Sequence, residues 1–381
     1  MKRIALLMIL WASSGATLAT VVPPAPSTVN INRTVDRMSP PSADISIWKR
    51  ASGGYDTTDP KKWARNAWVC ESSSDPTHGQ CSTSAIWGAT GTTVLPLLFV
   101  EKRSGMRVTL NLSGFRTTVN HENGCVGMEY NYQIYTAKGM VCYDGVDGGG
   151  GNASEVVLTL DIPAAELRKL PIGGIWEAEL HLKLMQWDPN QFLADFISNI
   201  KLNVIDPNHI DIYFPEFSHA TPLVELDLRP RGAPDASAYA QDTTNLDMCL
   251  YDGYNSNSTR FELRLKDEGV VPAGRASEDF SIFREGGAKG PERDRIDYRV
   301  KLQDPETGGM LAVKNNQIIV WTHVNQNKIR PVRLPSITYP VLCVPTPLLL
   351  EVDKFTVLDK NAGHYRGTLT VIFTPTTPTV D

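Results

Sequence analysis

Polar and apolar positions alternate with a period of two along most of this chain. Residues 94–100 form an apolar run, and Met106, Val108, Leu110 and Leu112 then alternate with Arg107, Thr109 and Asn111. Residues 156–162 are strand-like, and Trp176, Ala178, Leu180, Leu182 and Leu184 alternate with Glu177, Glu179, His181 and Lys183. Successive side chains of a strand point to opposite faces, so each pattern predicts a strand with one buried face. Residues 163–170 predict a turn or two of helix, with Pro163 suited to its first position. Asp206-Pro207-Asn208-His209 is a run of turn formers and the best domain boundary. Beyond it the alternation resumes at Ile210, Ile212 and Phe214, at Val224, Leu226 and Leu228, and at Phe261, Leu263 and Leu265, continuing through 317–321, 340–344 and 348–352. Long helical periodicity is absent, and many short strands broken by turns predict sandwiches or barrels. The expected fold is all-β, two β-sandwiches in tandem, which suits 381 residues.

Residues 363–375 read as one closing strand. Tyr365, Gly367, Leu369, Val371 and Phe373 lie on one face, and Arg366, Thr368, Thr370 and Ile372 on the other. A Pro/Thr tail follows it, so any strand beside it comes from earlier in the chain or from another molecule. An apolar strand left at an open edge is a template for a foreign strand.

Composition narrows the setting. A net charge of −5 without a basic stripe argues against a nucleic-acid partner. Residues 1–19 read as a signal peptide: Lys2-Arg3, an apolar stretch from Ile4 to Trp11, and Thr17-Leu18-Ala19 as a small-residue cleavage site. No later stretch reaches the ~18–20 apolar residues of a membrane span. The Pro-rich stretch 21–27 is expected to be extended and weakly ordered. Export makes disulfides the default for the six cysteines. The simplest pairing joins Cys70 to Cys81, Cys125 to Cys142 and Cys249 to Cys343, with other connectivities open. No Cys-x-x-Cys is present and the seven histidines lie far apart in the sequence, so neither a metal site nor a cofactor is expected.

The chain carries no Gly-x-Ser-x-Gly elbow, no His-Glu-x-x-His and no phosphate-binding glycine loop, so it is not expected to be an enzyme. Residues 144–152 read as a hairpin loop and not a calcium loop, and the mixed charges of 284–295 as an exposed loop. Lys61, Lys62 and Arg65, interleaved with Trp63 and Trp68, are candidates for holding an anionic or sugar ligand.

Several segments together resemble one family, the tip adhesins and initiator subunits of class 5 chaperone–usher pili (the CfaE/CblD-like family). They are 101–104, 162–176, 226–230, 247–254, 340–343 and the closing 363–375, and all six cysteines sit in family-like contexts. The resemblance implies two immunoglobulin-like sandwiches: an adhesin domain at 20–205, a linker at 206–209 and an incomplete pilin domain at 210–381. It implies that Tyr365, Gly367, Leu369, Val371 and Phe373 wall a groove, filled first by a periplasmic pilus chaperone and then, at the outer-membrane usher, by the donor strand of the major pilin subunit. The protein would then initiate the pilus, sit at its surface-exposed tip and bind a host-cell glycan or glycoprotein. Related adhesins use one arginine shortly before the first cysteine and two more after the Gly-Gly-Val-Trp-like motif. Arg65 matches the first, whereas Gln186 and Trp187 stand in place of the pair, suited to hydrogen-bonding and stacking on a sugar. An assembly initiator without adhesion, and a secreted β-sandwich hydrolase or lectin, are the rival readings.

Overall fold

The apolar half of each alternation is what the strands bury. Leu95, Leu97 and Phe99 on Thr93–Glu101, Leu110 and Leu112 on Arg107–Val119, and Leu180, Leu182 and Leu184 on Gly174–Gln186 are at most 1 % exposed. The computed structural model describes residues 20–59, 62–88, 90–119, 131–138, 153–217, 221–233, 235, 237–268 and 271–380. The signal at 1–19, Lys61, Cys125, Cys142 and the loop 144–152 lie outside them. The single α-helical turn among the described residues, Ala164–Leu167, starts just after Pro163, which is its cap.

In the N-terminal half, a ten-stranded sheet runs Val21–Val22, Ile45–Asp56, Glu155–Ile162, Arg107–Val119, Thr93–Glu101, Gly174–Gln186, Gln191–Ile205, Ser27–Asp36, with Ala67–Cys70 and Asn131–Tyr132 paired off this path. The sheet folds over its own core. Trp48, near one end of the order, donates its indole N–H to Ser27 at the other end (3.0 Å) and packs 5.6 Å from Phe196. The stretch 21–27 is extended but firmly paired: Val21 and Val22 bond to the Tyr55–Asp56 edge, and Ser27 opens a strand parallel to Gln191–Ile205. Asparagines reinforce that pairing, Asn199 donating to Asn30 (3.0 Å) and Asn203 to Asn32 (2.9 Å).

Among the described residues, the C-terminal half contains three sheets. Asp211–Tyr213, Cys249–Tyr251, Val341–Pro345 and Arg330–Val332 form one, Ile318–Thr322, Arg260–Lys266 and Thr370–Pro375 another. The third runs Tyr239–Leu246, Leu348–Thr356, Arg295–Gln303, Phe280–Arg284, Tyr365–Arg366, with Met310–Val313 on its Arg295–Gln303 strand. Cys70–Cys81 and Cys249–Cys343 are both bonded.

Two expectations change here. The single strand over 363–375 is split: Tyr365–Arg366 pairs with Phe283 and Arg284, whereas Thr370–Pro375 pairs with Arg260–Lys266. The crossing between sheets occurs at Gly367, where a Cβ would stand 3.0 Å from the Ser281 carbonyl oxygen. The charged loop 284–295 is also less free than its composition implies, because Asp294 is buried and bonded to Arg284 and Asn361.

The two halves share a core. Cys249, Tyr251, Leu334, Ile337, Val341 and Cys343 pack in the same cluster as Trp176 and Leu202. Above it Glu101, wholly buried, accepts hydrogen bonds from the Arg103, Ser104 and Ile175 amides and from the side-chain amides of Asn255 (2.7 Å) and Asn257 (3.2 Å). Gly173 permits the approach, since a Cβ there would lie 2.1 Å from the Gly253 carbonyl oxygen. At 206–209 the chain makes a 3-10 turn, Pro207–His209, with Asp206 held by Arg37 (3.0 Å) and His209 (2.7 Å).

Candidate functional site

The closing strand leaves an edge open. Leu263 faces Phe373 and Leu265 faces Val371 across one ladder, and Phe261 meets Phe373 edge to face at 4.8 Å. On its other side Thr370–Pro375 pairs with no strand among the described residues. Leu369, Val371 and Phe373 are only half-buried, although they pack on the second core. A second segment shares that condition: in 221–230, Val224, Leu226 and Leu228 are half-buried against the same core while Leu223, Glu225, Asp227 and Arg229 are exposed. Its period of two is that of a strand, yet it forms no ladder, contrary to the expected strand. Strand-like geometry outside any ladder is what an incoming strand requires, although the Leu228 and Asp227 amides are engaged by the Leu226 carbonyl and by Asp242.

The expected groove residues divide. Leu369, Val371 and Phe373 line the open edge region. Tyr365 is occupied elsewhere, its hydroxyl within hydrogen-bond distance of the Arg293 and Asn361 carbonyls (2.9 and 2.7 Å), and Gly367 is the sheet-crossing point.

A different surface carries the expected receptor residues. Ala67–Cys70 pairs antiparallel with Gly174–Gln186, Ala67 opposite Met185. The turn bearing Arg65 and the hairpin bearing Gln186 and Trp187 therefore leave the ladder at the same end. Arg65, Gln186 and Trp187 are all half-buried, and the Gln186 amide donates to the Asp188 carbonyl (3.3 Å). The Arg65 guanidinium lies over the Trp87 ring, 5.7 Å from its centroid, and Trp87 is 56 % exposed. Neighbouring Lys62 is engaged by Asp56 at 3.3 Å. Asp56 stays ionised well into acid, held down to about 2 by the Thr58 hydroxyl and further by the Thr58 amide and Lys62. Arg65 has no carboxylate partner among the described residues, which leaves its charge available. Trp63 and Trp68 do not serve as stacking faces: both are buried, Trp68 completely. The exposed ring beside Arg65 is Trp87, whose sequence signal is an aromatic beside Ile86 in the polar stretch after Cys81.

Residues 16–207 match the family of the first domain of CfaE, the E subunit of CFA/I fimbriae, and residues 210–377 match the family of its second domain. The chain belongs to this family. The E subunit of CFA/I fimbriae from Escherichia coli is 29% identical over 326 residues, which cover 83% of this chain and 82% of that one. The crystal structure of CfaE, the adhesive subunit of CFA/I fimbria of enterotoxigenic Escherichia coli, matches with a TM-score of 0.77 at 26% identity, covering 94% of this chain and 96% of that chain. A structure described as a chaperone–tip adhesin complex vital for CFA/I fimbriae biogenesis matches at 0.61 and 25% identity, covering 92% and 97%. The all-β, two-sandwich architecture of this chain is that of the CfaE family.

Proposed function

We propose that this chain is a non-enzymatic minor tip subunit of a chaperone–usher fimbria. After export directed by residues 1–19, residues 20–205 act as an adhesin domain and 210–381 as a pilin domain, joined at 206–209. The observation that carries this reading is the unpaired apolar edge of Thr370–Pro375, sharing a half-covered core with the ladder-free segment 221–230. An inserted strand would bury Leu369, Val371 and Phe373 the rest of the way, about 1 kcal/mol for each side chain. It would also satisfy the free backbone edge. The relative solved with its chaperone supports a periplasmic chaperone as the first occupant. The major pilin's donor strand would replace it at the outer-membrane usher, and the finished tip would be displayed on the cell surface.

We assign adhesion to the surface at Arg65, Gln186 and Trp187, together with Trp87, whose ring lies under Arg65. A cation over an exposed indole, with an amide beside it, suits a host glycan bearing an anionic group. The assembly-only reading is favoured by one feature, the neutral Gln186 and Trp187 in place of an arginine pair.

Co-expression with the cognate chaperone tests the groove. Leu369→Asp or Val371→Asp is expected to abolish the co-purified complex, since an ionised carboxylate would be buried beneath the inserted strand. A complex of unchanged yield from both variants overturns the groove assignment.

A further inference from the structure

The seven histidines are scattered in the sequence, but the fold brings two of them together. His78 and His181 have ring centroids 4.7 Å apart, and with Glu179 they place one donor atom each within 4.8 Å of one another. We propose that His78, Glu179 and His181 form a surface site for a divalent transition-metal ion of the zinc class, at the other end of the strand pair from Arg65.

Three features make this a built arrangement. Glu179 and His181 are two apart on Gly174–Gln186 and share its outer face, opposite the buried Leu180 and Leu182. His78 is delivered by the loop that Cys70–Cys81 closes, and its carbonyl accepts the His181 amide at 3.0 Å. Gly79 presses that loop onto the strand with φ +98, where a Cβ would stand 2.5 Å from Leu180. The donors thus come from rigid elements, which lowers the ordering cost of binding.

Both rings turn a nitrogen toward the Glu179 carboxylate. His78 Nδ1 lies 3.3 Å from the Glu179 carbonyl and 3.7 Å from Glu179 Oε1, so this nitrogen stands beside the carboxylate. His181 Nε2 is 2.8 Å from Glu179 Oε1, while its Nδ1 faces Glu71 Oε2 at 3.8 Å. Glu71 is a positioning carboxylate, held in turn by Lys183 at 3.4 Å. A carboxylate beside the second ring nitrogen, as Glu71 stands to His181, favours the tautomer that leaves the other nitrogen to the ion. Two imidazoles and a carboxylate suit zinc, with ligands at about 2.0–2.2 Å and a fourth position open to water or an external ligand. The exposure of the cluster, with Glu179 47% accessible, keeps that position reachable.

Calorimetric titration of ZnCl2 into the full mature chain, folding confirmed by circular dichroism, tests the site. The expected result is one zinc per chain, lost in His78→Ala and His181→Ala and kept in His364→Ala, an exposed histidine of the other half. Glu71→Gln is expected to weaken binding about 10–100-fold without abolishing it. Where an alanine variant fails to fold, Glu179→Gln serves, together with Co2+ in place of zinc: wild type is expected to give the visible absorption of a low-coordinate nitrogen–oxygen site and the variant to lose it. No zinc binding by folded wild type, or binding unchanged in the histidine and Glu179 variants, overturns the proposal.

Discussion

Replacing Glu101 by glutamine is expected to loosen the junction between the two halves. Oε1 accepts from the Ile175 amide (3.2 Å) and Asn257 (3.2 Å), whereas Oε2 accepts from the Arg103 amide (3.0 Å), the Ser104 amide (2.7 Å), the Ser104 hydroxyl (2.6 Å) and Asn255 (2.7 Å). Every partner is a donor. A glutamine NH2 therefore faces donors whichever way it turns, and the better orientation sets it against Ile175 and Asn257. Asn257 has a second acceptor in the Tyr254 carbonyl (2.8 Å), so the Ile175 amide is the group left stranded. One buried unsatisfied donor costs about 1–3 kcal/mol, and loss of charge assistance in the remaining bonds adds to it. A neutral amide is cheaper to bury than a carboxylate, which offsets part of the sum, so the net loss is about 2–4 kcal/mol. For a domain of this size each kcal/mol moves the midpoint by about 2–4 °C, so scanning calorimetry should register a fall of about 4–16 °C. A double-mutant cycle with Asn255→Ala should give a coupling energy of about 1 kcal/mol or more. An unchanged midpoint together with additive mutations would refute the role given to Glu101.

Other consequences are equally open to measurement. Reduction of Cys249–Cys343, which closes a loop of 94 residues, is expected to cost about 4–5 kcal/mol on loop entropy, and a denaturation midpoint insensitive to reductant would contradict this. Arg284 and Asn361 hold the Asp294 carboxyl down to about 2, below its ordinary 3.8, so its contribution to stability is complete above the ordinary value and lost as pH falls through about 2. Asp294→Asn should flatten the loss of stability over that window; acid curves that superpose would remove Asp294 from the account. Trp87→Ala is expected to weaken receptor binding with little change in stability, since the side chain is mostly exposed, and equal binding by the variant would remove it from the receptor surface.

Local patterns make the strands legible, because each alternation buries its own apolar face whatever the neighbours are. What connects distant strands is less visible. Glu101 and Asn255 are 154 positions apart, and only the fold makes the polar segments 101–104 and 255–257 two sides of one junction. The first of these, and the stretch 247–254 just before the second, also carry the family resemblance. Ser27–Asp36 escapes the pattern because threonines and asparagines dilute its alternation; its pairing comes from the parallel neighbour and the asparagine contacts. The closing strand reads as continuous because alternation persists through Gly367, whereas the close approach to Ser281 is tertiary. Arg65 is legible by its place before Cys70. Trp68 misleads because it follows closely on the cations of 61–65, until the ladder to Leu184 turns it inward. The histidine pair is hidden by sequence distance, which says nothing about strands and loops that meet across a sheet.

The most direct test of the tip-adhesin account is binding of the folded, donor-strand-complemented chain to host cells and to a glycan array, wild type beside Arg65→Ala at matched thermal stability. The account predicts that wild type binds and that the variant loses at least tenfold in affinity, about 1.4 kcal/mol. Absence of binding by correctly folded wild type would contradict the adhesive role and leave assembly initiation as the function.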